Sequence, residues 1–398
     1  MSNRIFVISL VLFSVLIASC TWFEPALPAD NAILDGPVAD LTTAQNSQFL
    51  AGDIAFNDEI FHSKNGLGPV FVATSCGSCH AGDGKGHPFS TLTRFGQIDS
   101  TGNKFLHLGG PQLQNLAIPG YYPEIIPEGA TFSKFTPPAN TGLGFLELVS
   151  DVDLLDLADP DDIDGDGISG APNWDYLANF IAASPGAISQ NGRYIHRFGK
   201  KAAAYNLLHQ TVNAYNQDIG ITSIFSPLDV YSGLDIGPEI SNQTVRNVVF
   251  YLQTLKAPIP RNQDSEKFKS GKFIFTEIGC QKCHVETLKT GLSPVAALSN
   301  QIFHPYTDLL LHDMGPLLDD GYTEGNAKTA EWRTTPLWGL GLSANSQGGQ
   351  YFLLHDGRAR SIEQAIELHG GEGSGARSKF SLLNDEDREA IIFFLESL

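Results

Sequence analysis

The sequence predicts a mainly α-helical fold of two similar units in tandem, the first carrying a long loop-rich insertion. Three observations lead there. The pentapeptide Cys76-Gly77-Ser78-Cys79-His80 recurs as Cys280-Gln281-Lys282-Cys283-His284. Ahead of each copy lies the spacing F-x-x-G-x-x-x-F, first as Phe49, Gly52 and Phe56, then as Phe268, Gly271 and Phe275. Behind each copy an amphipathic stretch closes the unit. Val245, Val248, Val249 and Leu252 fall at i, i+3, i+4, i+7, as do Ile391, Phe394, Leu395 and Leu398. A glycine on an apolar helix face lets another helix cross closely, so each opening helix is expected to meet its closing helix there.

The pentapeptide carries chemistry. C-x-x-C-H is the attachment motif for c-type haem: two thiols add to the vinyl groups and the adjacent His ligates the iron. Four consecutive positions let both sulfurs reach one edge of the macrocycle. A single copy could equally be a zinc knuckle or a redox pair, but two copies without other cysteine pairs favour haem. Two covalently bound haem c groups are therefore expected, one on Cys76, Cys79 and His80, the other on Cys280, Cys283 and His284. The units read as cytochrome c-type domains over 45–258 and 262–398. Their boundary is Ala257-Pro258-Ile259-Pro260, where two prolines end a helix and stiffen the link.

From the N-terminus, residues 1–20 read as a lipoprotein signal peptide. Arg4 precedes an apolar run over 5–17, too short for a bilayer span of about 20 residues. The run ends in Ile17-Ala18-Ser19-Cys20, which makes Cys20 the lipidated residue; an ordinary signal peptide ending near a cysteine is the alternative. Thr21, uncharged, points to the outer membrane. The chain is thus expected on the periplasmic side of a bacterial envelope, anchored by its lipid, with 21–44 as a tether. One lipid and four thioethers use all 5 cysteines and leave no disulfide. A hydrophobic content of 42% is that of a globular protein. The net charge of −19 argues against nucleic acid and favours a basic electron-donor protein or a small neutral substrate.

The two units differ in size. About 160 residues separate Cys79 from the first closing helix, against roughly 100 in the second unit. The surplus holds Asp159-Pro160-Asp161-Asp162-Ile163-Asp164-Gly165-Asp166-Gly167-Ile168-Ser169. Asp162, Asp164 and Asp166, with Gly167 for the turn, suit a hard cation such as calcium. Asn173 stands where an EF-hand has its Glu, so this is not an ordinary EF-hand; a solvated acidic turn is the other reading.

Several further stretches carry a resemblance: Asn65-Gly66-Leu67-Gly68-Pro69, Gly109-Gly110-Pro111-Gln112-Leu113-Gln114, His312-Asp313-Met314-Gly315-Pro316, Arg333-Thr334-Thr335-Pro336-Leu337-Trp338-Gly339 and His355-Asp356-Gly357-Arg358-Ala359-Arg360. With the acidic loop, they make the chain from about 45 to 398 resemble the bacterial di-haem oxidoreductases called putative peroxidases or thiol oxidoreductases. These are relatives of di-haem cytochrome c peroxidases and of the di-haem enzyme that matures methylamine dehydrogenase. The resemblance implies two cytochrome c domains in contact, one haem for chemistry and one to receive electrons.

For the second iron the sequence offers His312, Met314, His355 and His369 opposite His284. Residues 361–369 read as a short helix, with Ser361 and Gln364 as a capping box and Gly370-Gly371 as its stop. Ile362, Ala365, Ile366 and His369 share its inner face, which makes His369 the expected ligand and Met314, the one methionine after the signal segment, its rival. The resemblance places an axial Met here in the peroxidase relatives, so His369 is a departure; a second imidazole lowers the potential where a thioether raises it. For the first iron the matching region, 221–240, has no His or Met, which implies an open sixth position unless His87 or His107 loops over. Peroxide chemistry there needs a general acid-base. Glu147, a lone carboxylate in an apolar run, is the candidate; an exposed helix Glu is the alternative, and the resemblance favours the pocket. Trp338 reads as a core residue.

Two functions follow from these readings. One is a peroxidase-like di-haem oxidoreductase, with haem 1 as reaction centre and haem 2 as relay. It would take hydrogen peroxide and electrons from a small donor protein or a quinol-linked donor. The other is an electron-transfer c-type cytochrome without substrate chemistry. The long insertion and the missing sixth ligand favour the enzyme.

Overall fold

The computed structural model describes residue 29 and residues 34–398; the expected signal peptide, Cys20 and most of the tether lie outside the described residues. Residues Leu34–Leu398 cluster as one unit. Its frame is two helix pairs. Helix α1, Thr43–Asn57, starts at a Thr42–Gln45 capping box and buries Phe49, Gly52 and Phe56. It crosses a later helix, Asn242–Thr254, which buries Val245, Val248, Val249 and Leu252. A Cβ on Gly52 would strike the Asn247 carbonyl oxygen, so only glycine allows this approach. The second pair repeats the device. The helix Glu266–Glu277 is capped by Ser265 and buries Phe268, Gly271 and Phe275. Gly271 lies under the Ala390 carbonyl of the last helix, Asp385–Ser397.

The expected mainly α, tandem cytochrome c-type architecture is not what forms. Among the described residues, only four helices reach 12 residues or more, and the strands form four sheets of two and one of three. Between the helix pairs the chain runs through short ladders. Val70–Phe71 pairs with Leu116–Ala117, Leu92–Phe95 with Phe132–Phe135, and Leu311–Asp313 with Glu331–Arg333. Asn173–Asp175, Arg193–His196 and Ser189–Gln190 form a sheet of three. The cause is compositional. With 40 Gly and 22 Pro, apolar stretches are cut before a helix can propagate, and their backbone groups pair across loops instead. The cores cross the proline boundary as well: Leu288, Phe303, Leu309 and Trp338 pack into the same cluster as Phe49, Tyr251 and Leu252. Among the described residues, no helix is long and apolar enough to cross a membrane.

Three shorter elements position the site. Helix α2 of this description, Leu207–Asn213, is capped by Asn206 and runs on into a π-helical turn, Ala214–Ile219. The helix Ile362–Glu367 is capped by Ser361, whose hydroxyl accepts from Gln364 N at 3.0 Å, and the chain turns at Gly370 just after His369. The inserted segment 159–170 returns to the body where Ala171 bridges Leu311.

Candidate functional site

Both C-x-x-C-H segments form the same turn; the second follows the helix Glu266–Glu277 directly, whereas the strand Val70–Phe71 lies between α1 and the first. His80 N donates to Cys76 O, and His284 N to Cys280 O, each at 3.0 Å. The turn folds the histidine back beside its two cysteines. Each imidazole is then oriented by one backbone carbonyl. His80 Nδ1–H donates to Pro138 O at 2.9 Å, and His284 Nδ1–H to Tyr306 O at 3.0 Å. That fixes the tautomer and leaves Nε2 with its lone pair free, the form that binds a metal. Burial pushes both imidazoles down to about 4, against the carbonyl's pull, so both are neutral at physiological pH.

Burial raises Cys76 and Cys280 to about 12 and Cys79 to about 11, which keeps all three protonated. The four described cysteines are free thiols. That is the condition in which they can be alkylated by vinyl groups.

A cationic cluster lies beside these segments. Lys85, Lys200 and Arg333 form no ion pair among the described residues, although Lys200 is only 8% exposed. Arg333 donates to the Gly199 and Thr334 carbonyls, and Lys85 to Leu354 O. Burial, then their mutual repulsion, holds Lys200 well below the usual lysine range; burial lowers Lys85 to about 8 and Arg333 to about 10. His80 feels the charge of Lys200. Asp356 bears on Lys85 and Lys200, and Asp308 on Arg333, without a direct ion pair, so an added anion would be favoured here. Propionates are anions of that kind, and with the free Nε2 atoms and the thiols the residues fit two haems.

Of the four candidates opposite His284, the fold separates one. His284 feels both His369 and His312; His369 Nδ1–H donates to Ala365 O at 2.7 Å and leaves its Nε2 free. His312 has both nitrogens engaged, by Glu372 at 2.6 Å and Asp308 at 2.8 Å. Burial opposes its charge, but these carboxylates and Cys283 raise its pKa. His355 Nε2 is engaged by Asp320 at 2.7 Å, and its ring stacks on Trp332 at 3.7 Å. Met314 lies beside His369 over Gly373 and packs with Phe135, Tyr322 and Trp332. Near the first motif, His87 lines a small cavity with Cys79, its ring between Phe89 and Phe352. His107 sits in a separate turn, bridged to Gly109. Trp338 is a core residue, against Phe303.

Glu147 is buried and burial raises its pKa, as its apolar run suggests, but its surroundings are those of a brace. One oxygen accepts from Leu207 N at 2.7 Å and the other from Gln253 Nε2 at 2.6 Å, tying α2 to the helix Asn242–Thr254. Another carboxyl bears on the first motif: Asp218, whose backbone carbonyl accepts from Val72 N and Ala73 N, raises both Cys76 and Cys79 by its charge. Burial brings the Asp218 carboxyl up to about 7, against the pull of Arg94. Glu124, also raised by burial, accepts from Gln114 N at 2.8 Å, and Gln114 Nε2 reaches Gln217 O. Sequence reasoning missed Asp218, Glu124 and the lysines because each sits in an unpatterned stretch. The π-helical turn that carries Asp218 leaves no periodic signal.

The acidic loop also differs in membership from the expected trio. Carboxylate oxygens of Asp159, Asp162 and Asp164 converge within 4.8 Å. Asp166 turns away: Oδ2 pairs with Lys282 at 2.7 Å and Oδ1 accepts from Ile168 N. Next to it, Ser169 donates through both N and Oγ to Glu372, the partner of His312.

A family model described as "Di-haem oxidoreductase, putative peroxidase" matches residues 134–398, a stretch that contains the second C-x-x-C-H segment and not the first. Among solved structures, the chain is similar to a hydrazine synthase of Kuenenia stuttgartiensis. They are 12% identical, with 94% of this chain and 98% of that chain covered and a TM-score of 0.40. It is similar also to a MauG-like protein associated with microbial copper homeostasis, 14% identical, covering 94% and 95% of the two chains, TM-score 0.40. No curated protein matches.

Proposed function

The chain belongs to the di-haem oxidoreductase, putative peroxidase family, and from that premise we propose that it carries two covalently attached haems with unequal tasks. The haem on Cys76, Cys79 and His80 is the reaction centre. The haem on Cys280, Cys283 and His284 is the relay. What carries this reading is an asymmetry between two otherwise matching turns. His284 has in its electrostatic surroundings His369, an imidazole with a free Nε2, while the charge that bears on His80 is that of Lys200. An iron held by two imidazoles is closed to substrate; one held by a single imidazole can bind it.

Bound haem supplies redox chemistry on hydrogen peroxide. The chain's own residues do the rest. His80 and His284 donate Nδ1–H to carbonyls and so hold Nε2 on axis. Lys85, Lys200 and Arg333 would offer positive charge to a haem's propionates. Splitting peroxide requires one proton to move from the inner to the outer oxygen. Asp218, raised to about 7, is poised for that transfer near neutral pH, with Glu124 fixing the loop that faces it. Calcium in the loop of Asp159, Asp162 and Asp164 would brace the segment that grips Lys282. The donor of electrons, a small protein or a quinol-linked one, a lipid anchor at Cys20 and a place on the periplasmic side of the envelope belong to the same reading.

Optical and EPR spectra of the ferric protein test it. One high-spin and one low-spin haem are expected, with the high-spin signal alone perturbed by peroxide. Two low-spin haems that ignore peroxide after partial reduction would leave an electron carrier.

A further inference from the structure

The body holds a second feature that neither motif uses. A cavity of about 410 Å³ lies between the strand Leu92–Phe95, the strand Arg193–His196 and α2. That is within the size range of small-organic-molecule sites, and far larger than peroxide needs. Two histidines line it, His196 and His209, with ring centroids 5.7 Å apart and planes at 88°. They present opposite faces. His196 Nδ1–H donates to Ala203 O at 3.0 Å, so its Nε2 is an acceptor; this ring is 1% exposed and Nε2 has no partner among the described residues. His209 Nδ1 accepts from Tyr205 N at 3.2 Å, so its Nε2 carries the hydrogen. Leu106, Pro111, Tyr176 and Leu177 give the lining an apolar and aromatic part, and Gln97, Asn103 and Asp175 give it a polar part. Arg94 is paired with Glu324 at 2.5 Å.

A chain of contacts leads from the cavity toward the first motif. Arg94 Nη1 reaches Gln217 Oε1 at 3.3 Å, and the next residue, Asp218, is the one whose charge Cys76 and Cys79 feel.

We propose that this cavity binds a hydroquinone-type reductant, whose phenolic O–H donates to His196 Nε2 while His209 Nε2–H holds an oxygen of the same molecule. The inference rests on the peroxidase reading for its oxidant. A buried acceptor without a donor asks for a ligand O–H or N–H. The apolar and aromatic part of the lining accepts a ring, and the polar part suits its hydroxyls. The chemistry balances. The hydroquinone loses two electrons and two protons and leaves as the quinone. Hydrogen peroxide takes both electrons, its O–O bond breaks, and with the two protons it leaves as two waters. His196 accepts the phenolic proton as the first electron departs, because a phenol that has lost an electron is a strong acid.

The test uses the holoprotein and unsubstituted hydroquinone. Calorimetry without peroxide should show saturable one-to-one binding, abolished by Ala178→Phe, which fills the cavity at its rim, and retained in His196→Gln, which keeps an acceptor. Stopped-flow spectra with peroxide alone should be the same in wild type and both variants. Hydroquinone-dependent return to the resting spectrum should slow at least tenfold in each variant, with His196→Gln changing kcat and not KM. Unchanged hydroquinone oxidation in both variants, or no binding to the wild type, overturns the proposal. Binding that Ala178→Phe abolishes, in a protein inert to peroxide, supports the site and sinks the peroxidase reading instead.

Discussion

Asp166, in the inserted segment, is ion-paired at 2.7 Å to Lys282, the residue between the two cysteines of the second C-x-x-C-H turn. An insertion that belongs in sequence to the first motif thus grips the second. Ser169 strengthens the grip through Glu372 and, behind it, His312. The acidic loop is therefore a latch, whose stiffness depends on what Asp159, Asp162 and Asp164 hold.

If that is calcium, chelation should lower the melting temperature. A cation at a hundred times its Kd stabilises by about 2.7 kcal/mol. Asp162→Asn should abolish the effect of chelator, and Asp166→Asn should leave it intact, since that carboxylate is spent on Lys282. A melting temperature indifferent to chelator and to added calcium would leave an acidic turn alone.

Glu147→Gln should weaken the fold and spare the chemistry. Its two oxygens brace Leu207 N and Gln253, and replacing one acceptor by a donor costs about 1–3 kcal/mol. Asp218→Asn should do the reverse, slowing the peroxide step roughly a hundredfold with a smaller change in stability. Peroxide kinetics alongside urea titrations of both variants decide it. A slow Glu147→Gln with a normal Asp218→Asn would reinstate Glu147.

The contrast between those two carboxyls shows what the sequence could and could not carry. The apolar run around Glu147 does signal burial. Its partners come from residues 60 and 106 positions away, and no local pattern reports them. The Phe-Gly-Phe crossings and the capped helix before His369 were legible because each is a fixed spacing within one element. The fold class was misread for the same reason: the four long helices announce themselves by period, whereas ladders of two to four residues do not. Asp166 was grouped with its neighbours by spacing, and a lysine 116 positions on decided otherwise.

Gly52→Ala and Gly271→Ala should each be severe. The new methyl would strike the Asn247 or Ala390 carbonyl oxygen, and neither helix backbone can retreat without opening its pair. A loss of at least about 3 kcal/mol is expected from overpacking. A variant that melts like the wild type would show that the crossings are looser than the structure has them.

Stability should also fall as pH rises from about 4 to 7. Burial lifts Asp218 and Asp83 to about 7, so the fold favours their protonated forms. The unfolded chain binds fewer protons over this window, and stability then decreases with pH. The contribution is complete below the ordinary aspartate range and is lost through pH 7. Asp83→Asn, at a fully buried site with one oxygen unpartnered, should flatten the slope measured by urea titration at pH 5 and pH 8. An unaltered slope would mean that Asp83 ionises as freely in the fold as outside it.

His369→Ala should convert the low-spin haem and leave the other signal in place. The argument is one of exclusion as well as position. His312 has both nitrogens engaged, and His355 is held between Asp320 and Trp332. Met314 packs with an aromatic cluster beside His369. His369 alone combines a free Nε2 with a charge that His284 feels. Replacing it should raise the midpoint potential of that haem, because a neutral imidazole stabilises the ferric state. Met314→Leu should change neither spectrum nor potential beyond a small packing effect. Loss of the low-spin signal in Met314→Leu, with His369→Ala unaffected, would reverse the assignment and make the relay a high-potential one.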